Sequence, residues 1–331
     1  MIISKTPLRI SFFGGGTDLP SFYKKNNYGA VVNSSINKYL YVTLKKQNSL
    51  FFEKYRLNYY LTELVDDISK IKHPVIKECF KFMNIDEHLY VSTIADAPSS
   101  TGLGSSSSFC VGLLNALYKF KGISVSNQKL AEEASYIEIN KLNLSLGKQD
   151  HYCAAYGGLN FIKFFQDDKV EIKKINNHIK LFFKLKKSII IFWTGLQRSA
   201  ELILKEQSKN NYDNREKLIV IRSYAEKFYK HLQYNDDISL EYLGKMLNDS
   251  WEIKKSLSEK ISSGLIDKVY STALKSGALG GKICGAGGGG FLMFLAKPQF
   301  HSNIINNLKK FNFEKYELDF IDNGSQVFEI D

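Results

Sequence analysis

The stretch that decides the fold is Pro98-Ser-Ser-Thr-Gly-Leu-Gly-Ser-Ser-Ser-Ser108, a run of small residues before an apolar segment. Gly102 and Gly104 allow a sharp backbone turn and leave no side chains between the amides and a ligand. The serines that follow can cap a helix that begins at about Ser106. Because a helix start presents free N–H groups and the positive end of the helix dipole, this stretch predicts an anion site.

Two observations limit what this segment says on its own. It is not a Walker A loop, because no G-K-[ST] follows at the required spacing. Short glycine motifs also give many false matches, so a serine-rich cap that binds nothing stays open. The helix itself is well indicated, since four apolar residues follow at the i, i+3, i+4, i+7 spacing of one helical face: Cys110, Leu113, Leu114 and Leu117.

Two further glycine-rich segments lie near the chain ends. The segment from Lys282 to Phe291 (KICGAGGGGF) has five glycines between residues 284 and 290, whereas a plain hairpin needs one or two. The excess predicts that something packs directly against the main chain, although a flexible loop without function is the alternative.

The other segment is Pro7-Leu-Arg-Ile-Ser-Phe-Phe-Gly-Gly-Gly-Thr-Asp18, in which Arg9 and Asp18 flank a strand end and a glycine turn. A surface ion pair and a helix cap would explain them equally.

Two acids form a fourth feature. Asp150 follows a glycine turn in Gly147-Lys-Gln-Asp150-His, and Glu138 ends a helical stretch twelve residues earlier. A carboxylate after a glycine turn is usually a helix cap. If both acids reach one cleft, one could orient an attacking hydroxyl while the other holds a divalent metal.

The composition excludes several classes of protein. With 331 residues and 44% hydrophobic content, the chain can form two globular domains. It has no apolar run of about 18 residues, and residues 1–16 lack the pattern of a secretory signal, so we predict a cytoplasmic protein. Four scattered cysteines without a C-x-x-C pair argue against disulfides and structural zinc. The net charge of +11 is spread over the chain and is compatible with anionic substrates, and no aromatic-basic motif supports the alternative of a nucleic-acid binder.

Strands and helices alternate in both halves, which predicts an α+β fold with domains at 1–186 and 187–331. The predicted strands lie at 8–13, 39–44, 89–94, 188–193, 282–284 and 291–296. One helix is predicted at about 128–140 and three more between 199 and 257, with a helix and one or two strands closing the chain.

These segments resemble the three motifs of the GHMP kinases, named for galactokinase, homoserine kinase, mevalonate kinase and phosphomevalonate kinase. The motifs occur in the family's order and separation over nearly the entire chain, and the most specific is P-x-x-x-G-L-G-S-S at 98–106. The segments 13–18 and 193–200 are similar to the branch that acts on heptose 7-phosphates. Galactokinases usually carry Glu and His where Gly15 and Gly16 stand, which argues against a simple hexose as the substrate.

The resemblance implies an N-terminal domain like domain 2 of ribosomal protein S5, a ferredoxin-like C-terminal domain, and a cleft for ATP and Mg²⁺. Asp150 would be the catalytic aspartate with Arg9 as its basic partner. Ser106, with Ser105 as a second candidate, and Glu138 would hold the metal. ATP would be bound by Pro98, Thr101, Gly102, Leu103, Gly104, Ser105, Ser106 and Ser107. The acceptor would meet Gly15, Gly16, Thr17, Asp18, Gly285 and Gly287.

The reaction implied by this branch is phosphorylation of the anomeric C1 hydroxyl of D-glycero-D-manno-heptose 7-phosphate, in the biosynthesis of nucleotide-activated heptose for surface glycans. We predict that Arg198 contacts the distal phosphate; a solvated arginine at a helix start is the alternative. The alternative functions are a kinase for a fucose-like sugar or an isoprenoid alcohol, and a catalytically silent nucleotide or sugar sensor. We expect a monomer or a homodimer.

Overall fold

The computed structural model describes residues 1–48, 50–176, 179–197, 200–209, 214–234 and 237–330, which form two antiparallel-rich sheets flanked by helices. The strands are β1 (Ile2–Phe13), β2 (Tyr28–Lys46), β3 (Tyr55–Asn58), β4 (Thr62–Val65), β5 (Leu89–Ala95), β6 (Leu159–Phe165), β7 (Val170–Ile175), β8 (Ile189–Trp193), β9 (Ala278–Ile283), β10 (Phe291–Ala296), β11 (Glu314–Lys315) and β12 (Gln326–Glu329).

The helices are α1 (Pro20–Tyr23), α2 (Pro74–Phe82), α3 (Ser105–Phe120), α4 (Asn127–Tyr136), α5 (Gln149–Tyr156), α6 (Lys180–Ser188), α7 (Ala200–Lys209), α8 (Arg215–Tyr234), α9 (Leu240–Lys255), α10 (Gly264–Lys275) and α11 (His301–Lys309). Among the described residues, no helix is both long and apolar enough to cross a bilayer.

The first sheet has the strand order β12-β1-β2-β5-β3-β4, and β6 joins it through β2 with β7 at its far side. The long β2 makes this possible, because its first half pairs with β6 and its second half with β5. Helix α3 packs on β1 and β2 with its apolar face buried in the larger of two hydrophobic cores. This packing fixes the start of α3 beside β1.

The second sheet has the order β11-β8-β10-β9, and its neighbouring strands are antiparallel. In chain order, helices α7–α10 connect β8 to β9, a loop connects β9 to β10, and α11 leads to β11. This is the β-α-β-β-α-β topology of a ferredoxin-like domain. A second core around Phe192, Trp251 and Phe294 lies beneath it.

The elements confirm the expected α+β class, with differences at their ends. The strands predicted at 8–13 and 39–44 lie inside the longer β1 and β2. The helix predicted at 128–140 is regular only to Tyr136 and continues as a π-helical turn, Ile137–Lys141. Such turns often occur at functional sites, and this one carries Glu138.

The last strand returns to the first sheet. β12 pairs with β1, with Ile2 opposite Glu329, and the Ile330 amide donates to the Met1 carbonyl at 2.8 Å. Residues of the predicted second domain therefore also contribute to the first sheet. The domain division at residue 186 stays a prediction.

Candidate functional site

A cleft opens where four segments distant in sequence meet. These segments are the turn after β1, the loop before α3, the start of α5, and the loop between β9 and β10. Side chains from α7 and α9 complete its wall. The lining residues are Arg9, Ser11, Gly15, Gly16, Asp18, Leu19, Ser100, Gly102, Gly104, Ser105, Ser106, Ser107, Leu146, Gly147, Gln149, Asp150, Leu204, Lys254, Gly285 and Ala286.

The start of α3 lies at the wall of this cleft. Gly104 is the N-cap residue and has φ 80°, a left-handed conformation that glycine adopts without strain. The first N–H groups of a helix have no acceptor within it, and here they belong to Ser105, Ser106 and Ser107, which line the cleft. The arrangement can bind phosphate oxygens.

Asp150 lies immediately beside this helix start. A Cβ atom placed on Gly104 would be 3.2 Å from Asp150 Oδ2, so the carboxylate lies close to the backbone of the helix start. Arg9 donates from Nε to Oδ1 and from Nη2 to Oδ2 of Asp150, both at 2.7 Å. Arg9 Nη1 donates to the Gly102 carbonyl at 2.5 Å. Burial lowers the pKa of the Arg9 guanidinium, but the charge of Asp150 and its hydrogen bonds raise it by more. The net shift in the pKa is therefore upward.

Glu138 lies behind the helix start and is fully buried. Its Oε1 accepts from Ser106 Oγ at 2.6 Å, and its Oε2 bonds Ser107 Oγ at 3.0 Å and His151 Nε2 at 2.6 Å. Burial raises the pKa of Glu138, but the hydrogen bonds and charge interaction with His151 and the two serine bonds bring it below its usual range. A carboxylate is thus held ionised in the protein interior.

These residues fit a magnesium ion that also binds phosphate. Among the described residues no group of three or more His, Cys, Asp or Glu side chains could hold a metal alone. Mg²⁺ commonly takes only one or two carboxylates plus substrate phosphates. The Ser106 hydroxyl, which lines the cleft, and the Glu138 carboxylate bonded to it are oxygen donors of the required kind.

Asp18 also lines the cleft and is almost fully buried. Its oxygens accept from the backbone amides of Gly16, at 3.0 Å, and Gln149, at 3.3 Å. Gly147 makes room for it, because a Cβ there would be 1.9 Å from Asp18 Oδ2. Burial and the nearby Asp150 charge raise the pKa of Asp18.

The glycine run between β9 and β10 packs against the loop before α3. A Cβ on Gly102 would be 2.2 Å from the Cys284 carbonyl oxygen, and one on Gly290 would be 2.2 Å from that of Thr101. Backbone therefore approaches backbone, as the excess of glycine predicted. The contact joins the second sheet to the loop that forms the helix start.

We expect Gly102→Ala to lower the free energy of unfolding by about 2–4 kcal/mol, because it combines left-handed strain with a clash against backbone. Gly122→Ala is the matched control: Gly122 also has a positive φ, but its Cβ would meet nothing within 4 Å. The control should lose only about 1 kcal/mol. Urea unfolding of both variants measures the difference, and equal losses would contradict the packing role of Gly102.

Several residues predicted for the site shape its loops without lining the cleft. The Thr101 hydroxyl donates to the Pro98 carbonyl at 2.9 Å, and Leu103 is buried in the larger core. The Thr17 hydroxyl donates to the carbonyls of Gly14, in the turn after β1, and Ala30, in β2. Gly287 packs against Ile261, whereas Gly285 faces the cleft. Arg198 lies outside the described residues.

The sequence analysis missed three buried polar side chains that line the cleft: those of Ser11, Gln149 and Lys254. The signal for Lys254 was present, since it falls on the buried face of α9 with Leu243, Leu247 and Trp251. A lysine on such an apolar face needs a partner or a function. Burial lowers the pKa of Lys254 to about 8, against the opposing effect of Asp18.

Comparison with known families matches two consecutive domain models to this chain. The GHMP kinases N terminal domain covers residues 70–158, and the GHMP kinases C terminal domain covers residues 232–314. The first match contains the loop before α3, Glu138 and Asp150. The second contains α9 and the glycine run.

Full-length relatives agree with these matches. The chain is 28% identical over 322 residues to the D-glycero-alpha-D-manno-heptose 7-phosphate kinase of Campylobacter jejuni, covering 93% of both chains. It is 24% identical to the L-fucokinase/L-fucose-1-P guanylyltransferase of Bacteroides fragilis, over 90% of this chain and 35% of that protein. The crystal structure of a D-glycero-D-manno-heptose 1-phosphate kinase from Bacteroides thetaiotaomicron superposes with a TM-score of 0.80 at 26% identity, covering 100% of this chain and 99% of that one. The two-domain architecture expected from the sequence is confirmed.

Proposed function

Because this chain belongs to the GHMP kinases, phosphotransferases that act on hydroxyl groups, we propose that it transfers the γ-phosphoryl group of ATP to the C1 hydroxyl of D-glycero-D-manno-heptose 7-phosphate. The product would be the 1,7-bisphosphate, an intermediate for nucleotide-activated heptose in surface glycans. We expect the reaction in the cytoplasm, where ATP is available.

The observation that carries this proposal is the closeness of one carboxylate to the start of a helix. Phosphoryl transfer requires mainly alignment and neutralisation of charge. The amides at the start of α3 would bind the phosphates, and Asp150, 3.2 Å from the Cβ position of Gly104, would face the γ-phosphate. An acceptor hydroxyl between them would lie in line for attack.

In the proposed reaction the acceptor oxygen forms a bond to phosphorus while the bond from phosphorus to the ADP oxygen breaks. Asp150 accepts the proton of the attacking hydroxyl. Arg9 bonds both oxygens of Asp150, which orients the carboxylate. Mg²⁺ held by Ser106 and Glu138 would neutralise phosphate charge. Asp18 would accept a hydrogen bond from an acceptor hydroxyl.

The choice of acceptor is based on the names of proteins that are similar to this chain. The Campylobacter jejuni and Bacteroides thetaiotaomicron proteins are both named as heptose phosphate kinases, but their names place the phosphate at C7 and at C1 respectively. A phosphate already at C1 would block the hydroxyl proposed to react. Similarity to the Bacteroides fragilis fucokinase supports L-fucose as a second candidate.

We expect ATP consumption that depends on D-glycero-D-manno-heptose 7-phosphate. The assay couples ADP release to NADH oxidation, and ³¹P NMR then identifies the product. The proposal requires a new phosphate signal on the anomeric carbon with the C7 phosphate retained. The controls omit the acceptor or replace it with unphosphorylated heptose, L-fucose, D-galactose or mevalonate. Turnover with L-fucose alone would favour the second candidate, and turnover with none would favour a silent sensor.

A further inference from the structure

Three buried polar side chains surround Gly15 in the cleft. A Cβ atom on Gly15 would lie 3.8 Å from Ser11 Oγ, from Gln149 Nε2 and from Lys254 Nζ. All three side chains line the cleft, and their residues are at most 8% exposed. We call Ser11, Gln149 and Lys254 the Gly15 cluster.

The Gly15 cluster has hydrogen-bonding capacity that the described part of the chain leaves unused. Ser11 Oγ and Gln149 Oε1 are buried without a partner among the described residues. An ammonium has three donors, and Lys254 uses one, to the Gly285 carbonyl at 2.5 Å. Buried polar atoms without partners are costly and rare. Ser11 Oγ, Gln149 Nε2 and Lys254 Nζ lie around one point beside Gly15, where a ligand would supply hydrogen-bond partners.

We propose that Ser11, Gln149 and Lys254 form a subsite that hydrogen-bonds hydroxyl groups of a polyhydroxylated acceptor next to the reacting hydroxyl. The inference rests on the proposed kinase function and adds residues that determine acceptor specificity. It also gives the second domain a direct part in acceptor recognition, because Lys254 comes from α9.

The surroundings favour hydroxyl groups over the distal phosphate. Asp18 and Asp150 both interact electrostatically with Lys254, and their negative charges would oppose a phosphate dianion at the same place. The nearby cation Arg9 is already paired with both oxygens of Asp150. Ser11 and Gln149 are neutral groups that both donate and accept, as sugar hydroxyls do. The lowered pKa of Lys254, about 8, still leaves it mainly protonated at neutral pH.

Gly15 keeps this subsite open. Gly15 does not have a positive φ, so alanine fits its backbone conformation. A Cβ at this position would make only ordinary van der Waals contacts at 3.8 Å. Gly15→Ala should therefore fold normally while its methyl group occupies the space meant for the acceptor. It provides a second test that does not remove any polar group.

The test compares wild type with Lys254→Met and Gly15→Ala in steady-state kinetics with D-glycero-D-manno-heptose 7-phosphate and in calorimetric binding of unphosphorylated heptose. We expect the acceptor KM of Lys254→Met to rise about 10- to 100-fold, and its dissociation constant for unphosphorylated heptose to rise by the same factor. The KM for ATP should stay within about twofold. Lys245→Met is the matched control, because Lys245 lies on the same helix but is exposed and paired with Asp249.

Each outcome supports or overturns the subsite. An unchanged acceptor KM in both variants would overturn it, and so would equal rises in the KM values of acceptor and ATP, which indicate a structural role. A loss confined to the phosphorylated acceptor would assign Lys254 to the phosphate instead. If wild type phosphorylates only L-fucose or D-galactose, the proposed acceptor is wrong and the same comparison is made with that sugar. If no sugar turns over, calorimetric binding of the same sugars replaces KM.

Discussion

Replacing Asp150 with asparagine is expected to lower kcat by about 10²–10⁴-fold, the usual contribution of a general base. Asparagine has nearly the same shape but cannot accept the proton of the attacking hydroxyl. The coupled assay measures the loss. Calorimetric titration with ADP should give an affinity close to that of wild type, because nucleotide binding is assigned to the start of α3.

Two checks separate a catalytic loss from a folding defect. Asp150→Asn weakens a half-buried ion pair with Arg9, so thermal unfolding must show that the variant is folded at the assay temperature. Asp86→Asn is the control, because Asp86 also pairs with a cation, Lys54, but its side chain is 95% exposed. A folded Asp150→Asn enzyme with wild-type turnover would show that Asp150 takes no part in proton transfer.

Glu138→Gln is expected to lower kcat by about 10²–10³-fold and to raise the Mg²⁺ concentration needed for half-maximal rate. Glutamine keeps the size of the side chain but removes the negative charge proposed to hold the metal. It also places an amide donor against Ser106, Ser107 or His151, all of which now bond the carboxylate. Activity is measured over a Mg²⁺ titration, together with Mg²⁺-dependent ADP binding.

The control for this variant is Glu133→Gln on the preceding turns of the same helical segment. Glu133 accepts a hydrogen bond from the Tyr118 hydroxyl at 2.5 Å and does not line the cleft. Its replacement should leave the Mg²⁺ requirement unchanged. If Glu138→Gln also leaves the Mg²⁺ requirement unchanged, Glu138 does not hold the metal, and its buried hydrogen bonds serve only to stabilise the fold.

Local sequence was sufficient to predict the centre of the candidate site. The glycines and serines at 102–108 predicted a turn and a helix start, and the structure has both. The glycine excess at 285–290 predicted close backbone contact, which Gly102 and Thr101 supply. These features depend on glycine, which lacks a Cβ atom and can adopt a left-handed backbone conformation. The positions of the glycines can be seen directly in the sequence.

Features that depend on distant contacts were not predictable in the same way. The partners of Glu138 come from the start of α3 and from α5, and nothing in the local pattern indicates that His151 would bond it. Lys254 reaches the cleft only because α9 packs against β9. The pairing of Ile2 with Glu329 joins residues at opposite ends of the chain, and no local signal specifies it.

The most direct test is a crystal structure with Mg²⁺, a nonhydrolysable ATP analogue and the acceptor sugar phosphate. We predict that the amides of residues 104–107 bind the triphosphate and that the C1 hydroxyl of the sugar lies between Asp150 and the γ-phosphate. A nucleotide bound elsewhere, or a γ-phosphate turned away from Asp150, would contradict the account.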